Sequence, residues 1–262
     1  MKTAKGFTLI ELTLVIAILG IISVGFIGVI NIGSTVYSNV SNRDSLISSS
    51  RFAVERLNRE IRNALPNSIR ISAIGNRQCV EFVPIVASTI YTQAPIFPDA
   101  EQSFITAIQF GNGYLGSDDD YVVIYPLNPN DAYDEGLSKR AGLKLIQPAL
   151  GNTKELELDS ATQFSDESPT KRLFIISLPV SYCVAEGRLI RYQDYDFNIS
   201  QDIFPSGDSF IMAEFLNVDD GLPFTYQEDA QMRNAVVQID FKFSNNNESV
   251  YFSNGVHINN VP

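Results

Sequence analysis

The chain opens with a long apolar segment that differs from everything after it. Residues 7–32 are mostly Leu, Ile, Val and Phe, and Glu11 is the one charged side chain among these 26 residues. As a helix, the segment spans about 39 Å, more than the hydrocarbon core of a bilayer, which is about 30 Å thick. The pattern therefore predicts a transmembrane helix over residues 7–32.

Residues 33–65 keep the helical period but become amphipathic. Apolar residues recur at spacings of three, four and seven, which predicts one buried stripe: Ile47, Val54, Leu57, Ile61 and Leu65. The arginines lie on other faces and are expected to be solvated: Arg51, Arg56, Arg59 and Arg62. Glu55 lies four residues before Arg59, a spacing that favours a salt bridge. Pro66 is expected to end the helix, because the residue before a proline avoids the α conformation.

Beyond Pro66 the pattern becomes typical of β-strands. Short runs of β-branched and aromatic residues lie between turn residues: Ile69–Ile74, Cys79–Val86, Tyr121–Tyr125, Leu173–Leu178 and Arg188–Tyr192. Val236–Phe243 and Ser249–Ile258 flank three asparagines and predict a hairpin. Residues 93–102 and 159–170 are predicted loops. The predicted fold is α+β, with a long N-terminal helix on a largely antiparallel sheet in a β-rich domain over residues 66–262.

Charge and cysteine content narrow the function classes. Asp and Glu number 30 against 19 Lys and Arg, so the net charge of −11 argues against nucleic-acid binding. A disulfide between Cys79 and Cys183 is favoured over two buried free thiols if the region is exported. A zinc site would lack ligands, because there is one histidine and no close cysteine pair.

The N-terminal flank sets the expected orientation. Lys2 and Lys5 precede the apolar segment, so the leader is expected in the cytoplasm and the C-terminal bulk outside it. A secretory signal peptide has a shorter apolar region, and an ordinary single-span anchor does not explain Glu11. A carboxylate at that depth costs about 2.5–3.5 kcal/mol on insertion scales, which points to a function for it.

The run from Lys5 to Glu11, KGFTLIE, resembles the signal of type IV pilins and type II secretion pseudopilins. The resemblance implies that residues 1–6 are a leader, that the prepilin peptidase cleaves between Gly6 and Phe7, and that Phe7 is then N-methylated. It also implies that Glu11 pairs with the terminal amine of Phe7 in a neighbouring subunit during assembly.

Four later segments point to a subgroup of this family. They are RFAVERLNREIRNALPNSIRI, QCVEF around Cys79, PVSYCV around Cys183, and the closing VHINNVP. These resemble the MshO-type minor pilins of the mannose-sensitive haemagglutinin (MSHA) pilus and, more distantly, J-type pseudopilins and W-type minor pilins.

The resemblance implies a pilin fold without cofactors, and a location first in the bacterial inner membrane, with a periplasmic C-terminal domain, and then in a filament. The implied partners are other minor pilins, the major pilin, the prepilin peptidase and the inner-membrane assembly platform. Because related tip subunits lack the glutamate, Glu11 implies a position just below the tip.

Other candidate chemistry is weaker. Asp118, Asp119 and Asp120 could bind calcium, but a solvated turn is favoured, as it is for Asp219–Gly221. His257 is interpreted as structural, since no nucleophile-elbow motif accompanies it. No phosphate-binding loop occurs, so another protein is expected to power assembly. None of these candidates supports catalysis, and the chain is not expected to be an enzyme.

Three functional hypotheses follow. The first is a minor pilin that acts in pilus biogenesis, and the second is a type II secretion pseudopilin. The third is a tip adhesin, whose loops would present exposed tyrosines: Tyr91, Tyr114, Tyr133 and Tyr226.

Overall fold

The computed structural model describes residue 6 and residues 8–111, 113–117, 119–217, 221–228, 234–245 and 248–259. Helix α1 (Leu9–Arg62) contains 54 residues and is therefore about 81 Å long. The predicted α+β class, with one long N-terminal helix on antiparallel β-sheet, is confirmed.

Two sheets pack with the C-terminal half of α1 and form, with it, a unit that we call the body. The five-stranded sheet is antiparallel, in the spatial order β1 (Arg70–Ile74), β2 (Arg77–Phe82), β9 (Val180–Ala185), β10 (Arg188–Gln193) and β11 (Asp208–Glu214). In the second sheet, β12 (Leu216–Asn217) and β13 (Phe224–Glu228) pair with one edge of β14 (Asn234–Asn245), and β15 (Glu248–Asn259) pairs with the other.

The body has one apolar core. The buried side of α1 contributes Leu46, Ala53, Val54, Leu57 and Ile61. These side chains pack with residues of both sheets, among them Val80, Tyr182, Ile239, Phe241 and Val256. Fully burying one such aliphatic side chain contributes about 1.5–3 kcal/mol, so this contact fixes the helix on the sheets.

The remaining strands form a closed antiparallel barrel, which the sequence analysis did not separate from the body. Around the barrel the order is β3 (Ile85–Gln93), β4 (Gln102–Ile108), β7 (Thr153–Thr162), β6 (Arg140–Pro148), β5 (Tyr121–Ile124) and β8 (Arg172–Ile176). Helix α2 (Pro129–Tyr133) and a 3₁₀ helix (Glu135–Leu137) connect β5 to β6. Closure leaves the barrel no free sheet edge and gives it a core of its own.

The barrel is an insertion between two neighbouring strands of the body, β2 and β9. Its two connections lie together, since the Ser177 amide donates to the Pro84 carbonyl at 3.3 Å. On β2 and β9, Cys79 and Cys183 are direct cross-strand partners joined by a disulfide of 2.04 Å. The closed loop of 104 residues contains the whole barrel, and loop closure on this scale is worth about 4–5 kcal/mol in the chain-entropy model.

The end of α1 differs from the prediction. The helix ends at Arg62 rather than Leu65, because the next residues form backbone hydrogen bonds with Val83 and with Ile85 at the start of β3. The Leu65 amide donates to the Val83 carbonyl at 2.8 Å, and the Ile85 amide donates to the Asn63 carbonyl at 2.9 Å.

The buried stripe also differs in register. Ile47 is half-buried, whereas Leu46, Ser50 and Ala53 are buried. Two of these are small residues that a hydrophobicity pattern does not detect. The predicted Glu55–Arg59 salt bridge does not form between these described residues. Arg56 and Glu60 pair instead, at 2.9 Å.

Among the strands, the hairpin of β14 and β15 is confirmed. The predicted strand Cys79–Val86 is wrong as one element, because Pro84 divides it into β2 and β3. The predicted loop over residues 159–170 is wrong in its first part, which belongs to β7. Strands that the sequence analysis did not predict are β4, β6, β7, β9, β11, β12 and β13.

Candidate membrane anchor and assembly site

Among the described residues of the single chain, the N-terminal half of α1 has no protein surface to pack against. Every side chain from Thr8 to Ser41 is exposed, including Leu9 at 82% and Ile21 at 77%. An apolar surface of this length in water is unfavourable and marks a membrane or protein contact. By length and composition, α1 is able to cross a membrane.

Within residues 9–30, the polar side chains other than Glu11 have partners inside the helix. The Thr13 hydroxyl donates to the Ile10 carbonyl at 3.0 Å, and the Ser23 hydroxyl donates to the Leu19 carbonyl at 2.7 Å. The helix satisfies its own backbone groups, which is a requirement in hydrocarbon. Residues 9–30 are therefore compatible with a bilayer apart from one carboxylate.

Glu11 lies in the first turn of α1, where the positive end of the helix dipole favours a negative charge. Its side chain is exposed, and no described residue gives it a hydrogen bond or salt bridge. Gly6 is exposed, whereas the other residues predicted for processing, Lys2, Lys5 and Phe7, lie outside the described residues. A carboxylate four residues from Phe7, on a bare apolar helix, is suited to pair with a cation supplied by another molecule.

Residues 1–27 match the protein family described as the prokaryotic N-terminal methylation motif. The N-terminus carries the methylation motif of prepilin-type proteins. The matched residues include Gly6, Phe7 and Glu11. The motif and the exposed apolar helix support a membrane-anchored protein of the type IV pilin-like or pseudopilin-like kind, a family of structural subunits. No curated protein and no solved structure matches the chain.

The aspartates considered for calcium do not form a cluster in the described residues. Asp118 lies outside them, Asp119 is exposed and Asp120 is buried. The Tyr114 hydroxyl donates to the Asp120 carboxylate, and burial raises the pKa of this carboxyl. Across the described ranges, no group of three or more His, Cys, Asp or Glu is placed to hold a metal ion. Asp219 and Asp220 also lie outside those ranges.

The tyrosines named for an adhesin are not an exposed set, so this part of the prediction is wrong. Tyr91 and Tyr133 are 3% and 2% exposed, in β3 and α2. The Tyr133 hydroxyl donates to the Ser68 carbonyl at 3.1 Å, a contact that ties the barrel to the body. Tyr114 and Tyr226 are half-buried.

His257 lies on β15 with an exposed side chain, cross-strand from Val236. It is a surface residue and does not have the packed structural role that the sequence analysis favoured.

Sequence reasoning missed a charged junction at the C-terminal end of α1. Glu60 accepts hydrogen bonds from Arg56 at 2.9 Å and from Arg191 of β10 at 3.0 Å. A cleft of about 750 Å³ opens beside it, between the body and the barrel, and side chains of both signs line it, including Arg59, Asp119 and Asp194. Glu60 and Arg191 are 131 residues apart in the chain, so no local sequence pattern could have identified this pair.

Proposed function

We propose that this chain is a minor pilin of a type IV pilus of the MSHA-like kind, and that it acts in pilus assembly near the filament tip. The observation that carries the proposal is Glu11, an exposed carboxylate one turn into a bare apolar helix that begins within the methylation motif.

The mechanism uses α1 twice. As a precursor, the chain is anchored by the apolar half, with the leader in the cytoplasm and the body and barrel in the periplasm. The prepilin peptidase removes residues 1–6 and methylates the new amine of Phe7. In the filament, the exposed apolar side chains pack against helices of neighbouring subunits instead of lipid.

Glu11 gives this second packing its register. Pairing its carboxylate with the Phe7 amine of a neighbour removes two charges from hydrocarbon at once. Without its partner, each group would remain a charge buried in hydrocarbon. A subunit that docks out of register therefore loses the pair and carries the free-energy cost of two buried charges. Because the chain retains the glutamate, we place it just below a tip subunit.

The test replaces Glu11 and measures two steps separately: membrane insertion with leader removal, and incorporation into the filament. Glu11→Ala is expected to leave membrane insertion and leader removal intact and to reduce incorporation into the filament about tenfold or more. Glu11→Asp keeps the charge and serves as the matched control, with partial recovery expected. Incorporation is measured as the chain content of sheared filaments relative to the membrane fraction. Normal incorporation of Glu11→Ala would contradict the proposal.

A type II secretion pseudopilin is the second candidate, because the same motif occurs in both systems. Its assembly chemistry would be identical, so substitutions in α1 do not separate the two. Deleting the gene does: loss of surface pili supports the first function, and loss of protein secretion with normal pili supports the second.

A further inference from the structure

The barrel contains a buried arginine that has no polar partner among the described residues. The basic side chains buried in this part of the chain are Lys139, Arg140 and Arg191, which are 5%, 7% and 8% exposed. Lys139 pairs with Asp166 at 2.8 Å, and Arg191 pairs with Glu60 at 3.0 Å. Arg140 forms no salt bridge with a described residue, and its Nη1 atom is buried without a hydrogen-bond partner. A charged donor in this position requires an acceptor from elsewhere.

Two aromatic rings hold the guanidinium of Arg140 in place. Its Cζ atom lies 3.6 Å from the ring centroid of Phe197 and 5.1 Å from that of Tyr121. These contacts with ring faces satisfy none of the N–H donors of the guanidinium. Burial lowers the pKa of Arg140, as expected for a cation removed from water. The side chain is therefore fixed in position, while its hydrogen-bonding capacity remains unused.

Arg140 lines a cavity of about 440 Å³ on the outer wall of the barrel. On β6, Ala141 and Leu143 face the barrel core, so Arg140 and Gly142 face outward. Asp159 of β7 lies over Gly142, where a Cβ would overlap its carboxylate, and so reaches the same cavity. The volume falls within the range of small-molecule sites, which is about 300–1,000 Å³.

The other charged side chains of this cavity are acidic. Glu101, Glu135 and Asp159 line it, and all three are exposed. None of them forms a salt bridge with a described residue. The charge of Glu135 favours the guanidinium ion of Arg140, but the two side chains form no hydrogen bond or salt bridge. One positive and three negative side chains give the lining a net charge of −2.

This charge pattern favours a ligand that carries charges of both signs. A phosphate or sulfate ion would meet three carboxylates, and a metal ion or a polyamine would leave the guanidinium unpaired. A carboxylate pairs with a guanidinium through two parallel hydrogen bonds, which is the strongest neutralisation available to a buried arginine. An ammonium group pairs equally well with the acidic side chains. An amino acid has both groups, and a basic amino acid has a second cation for the excess of carboxylates.

We propose that the cavity binds a small zwitterionic ligand of the amino acid class. The ligand carboxylate pairs with Arg140, and the cationic groups of the ligand lie among Glu101, Glu135 and Asp159. A basic amino acid is the best match, because its net positive charge offsets part of the negative charge of the lining. The site is on the barrel and includes no residue of α1, so ligand binding does not depend on the proposed function.

The first test is isothermal titration calorimetry of the detergent-solubilised full-length chain at low ionic strength. L-Arginine and L-lysine are the probes, and agmatine, which is arginine without its carboxylate, is the matched control ligand. We expect saturable binding of both amino acids. Agmatine should bind at least about tenfold more weakly than L-arginine, because it cannot pair with Arg140. Glucose, a neutral polyol, should give no saturable heat.

The second test removes charges of the cavity one at a time. Arg140→Gln should weaken L-arginine binding about tenfold or more and should not weaken agmatine binding, because agmatine has no carboxylate to lose. Glu135→Gln should weaken both ligands, since both have cationic groups. Arg188→Gln is the control variant, because this exposed arginine pairs with Glu214 outside the cavity, and it should leave binding unchanged. Circular dichroism verifies the fold of each variant.

Several results overturn the proposal. The first is no saturable heat from either amino acid, which would leave water as the partner of Arg140. The others are equal affinities for L-arginine and agmatine, unchanged L-arginine binding in a folded Arg140→Gln variant, and saturable binding of glucose alone. If Arg140→Gln does not fold, the agmatine comparison and Glu135→Gln decide, and unchanged binding in Glu135→Gln overturns the proposal.

Discussion

The two halves of α1 belong to one continuous helix but place their apolar side chains in different surroundings. In the body, Leu57 is fully buried against the sheets, whereas Leu14 in the N-terminal half is 57% exposed. The half in the body is stabilised by apolar contacts within the chain. The N-terminal half leaves its apolar surface exposed in the single chain, and in the proposed function a bilayer or other subunits cover it. The same residue type therefore has different roles about twelve turns apart.

A pair of leucine substitutions tests this difference most strongly. Leu57→Ala leaves a cavity in the core of the body and is expected to lower the free energy of unfolding by about 2–5 kcal/mol. Leu14→Ala removes no intramolecular contact and is expected to change it by less than about 0.5 kcal/mol. Denaturant titration of the detergent-solubilised chain, followed by the fluorescence of its 11 tyrosines, measures both. Equal losses would show that the N-terminal half also packs within the chain.

A pair of glutamate substitutions sharpens the same comparison. Glu60 is held by Arg56 and Arg191, and the Arg191 side chain is 10% exposed. Glu60→Ala leaves this arginine without its acidic partner and should cost about 1–3 kcal/mol of stability. Glu11→Ala should leave the unfolding free energy unchanged, because its proposed partner belongs to another subunit. A loss of stability in Glu11→Ala would contradict the external pairing.

The smallest effect is expected where the two halves meet. Arg43 lies 3.9 Å from Glu248 of β15, and its side chain is 61% exposed. Exposed pairs of this kind contribute little, so Arg43→Ala should change the unfolding free energy by less than about 0.5 kcal/mol. A loss above 1 kcal/mol, on the same scale, would place the start of the body nearer the membrane than the buried Leu46 indicates.

The elements with strong local periodicity were predictable. The long helix and the β14–β15 hairpin follow from apolar spacing and from turn residues. The end of α1 was not predictable, because residues 63–65 form backbone hydrogen bonds with Val83 and Ile85, which are distant in the sequence. The register of the buried stripe depended on Ser50 and Ala53, which are buried through their small size.

The barrel could not be derived from the sequence because its closure joins distant strands. Strand β7 alternates charged and apolar residues without β-branched enrichment, and β6 contains Gly142, where a Cβ would overlap the Asp159 carboxylate. The Cys79–Cys183 disulfide could be proposed from the sequence, because two cysteines allow only one pairing. Its position at the base of the barrel insertion could not, because that depends on the register of β2 and β9.

Of the candidate site, Glu11 was predictable because it interrupts an apolar segment. The Arg191–Glu60 pair was not predictable. Local spacing allows Glu55–Arg59 as well as Arg56–Glu60, and only the position of β10 decides that Glu60 is the paired carboxylate.

The most direct test of the account is mass spectrometry of the N-terminus of the chain extracted from membranes that contain the prepilin peptidase. We predict a mature chain that begins at an N-methylated Phe7. An intact Met1, or cleavage near Ser34 at the end of the apolar segment, would contradict it.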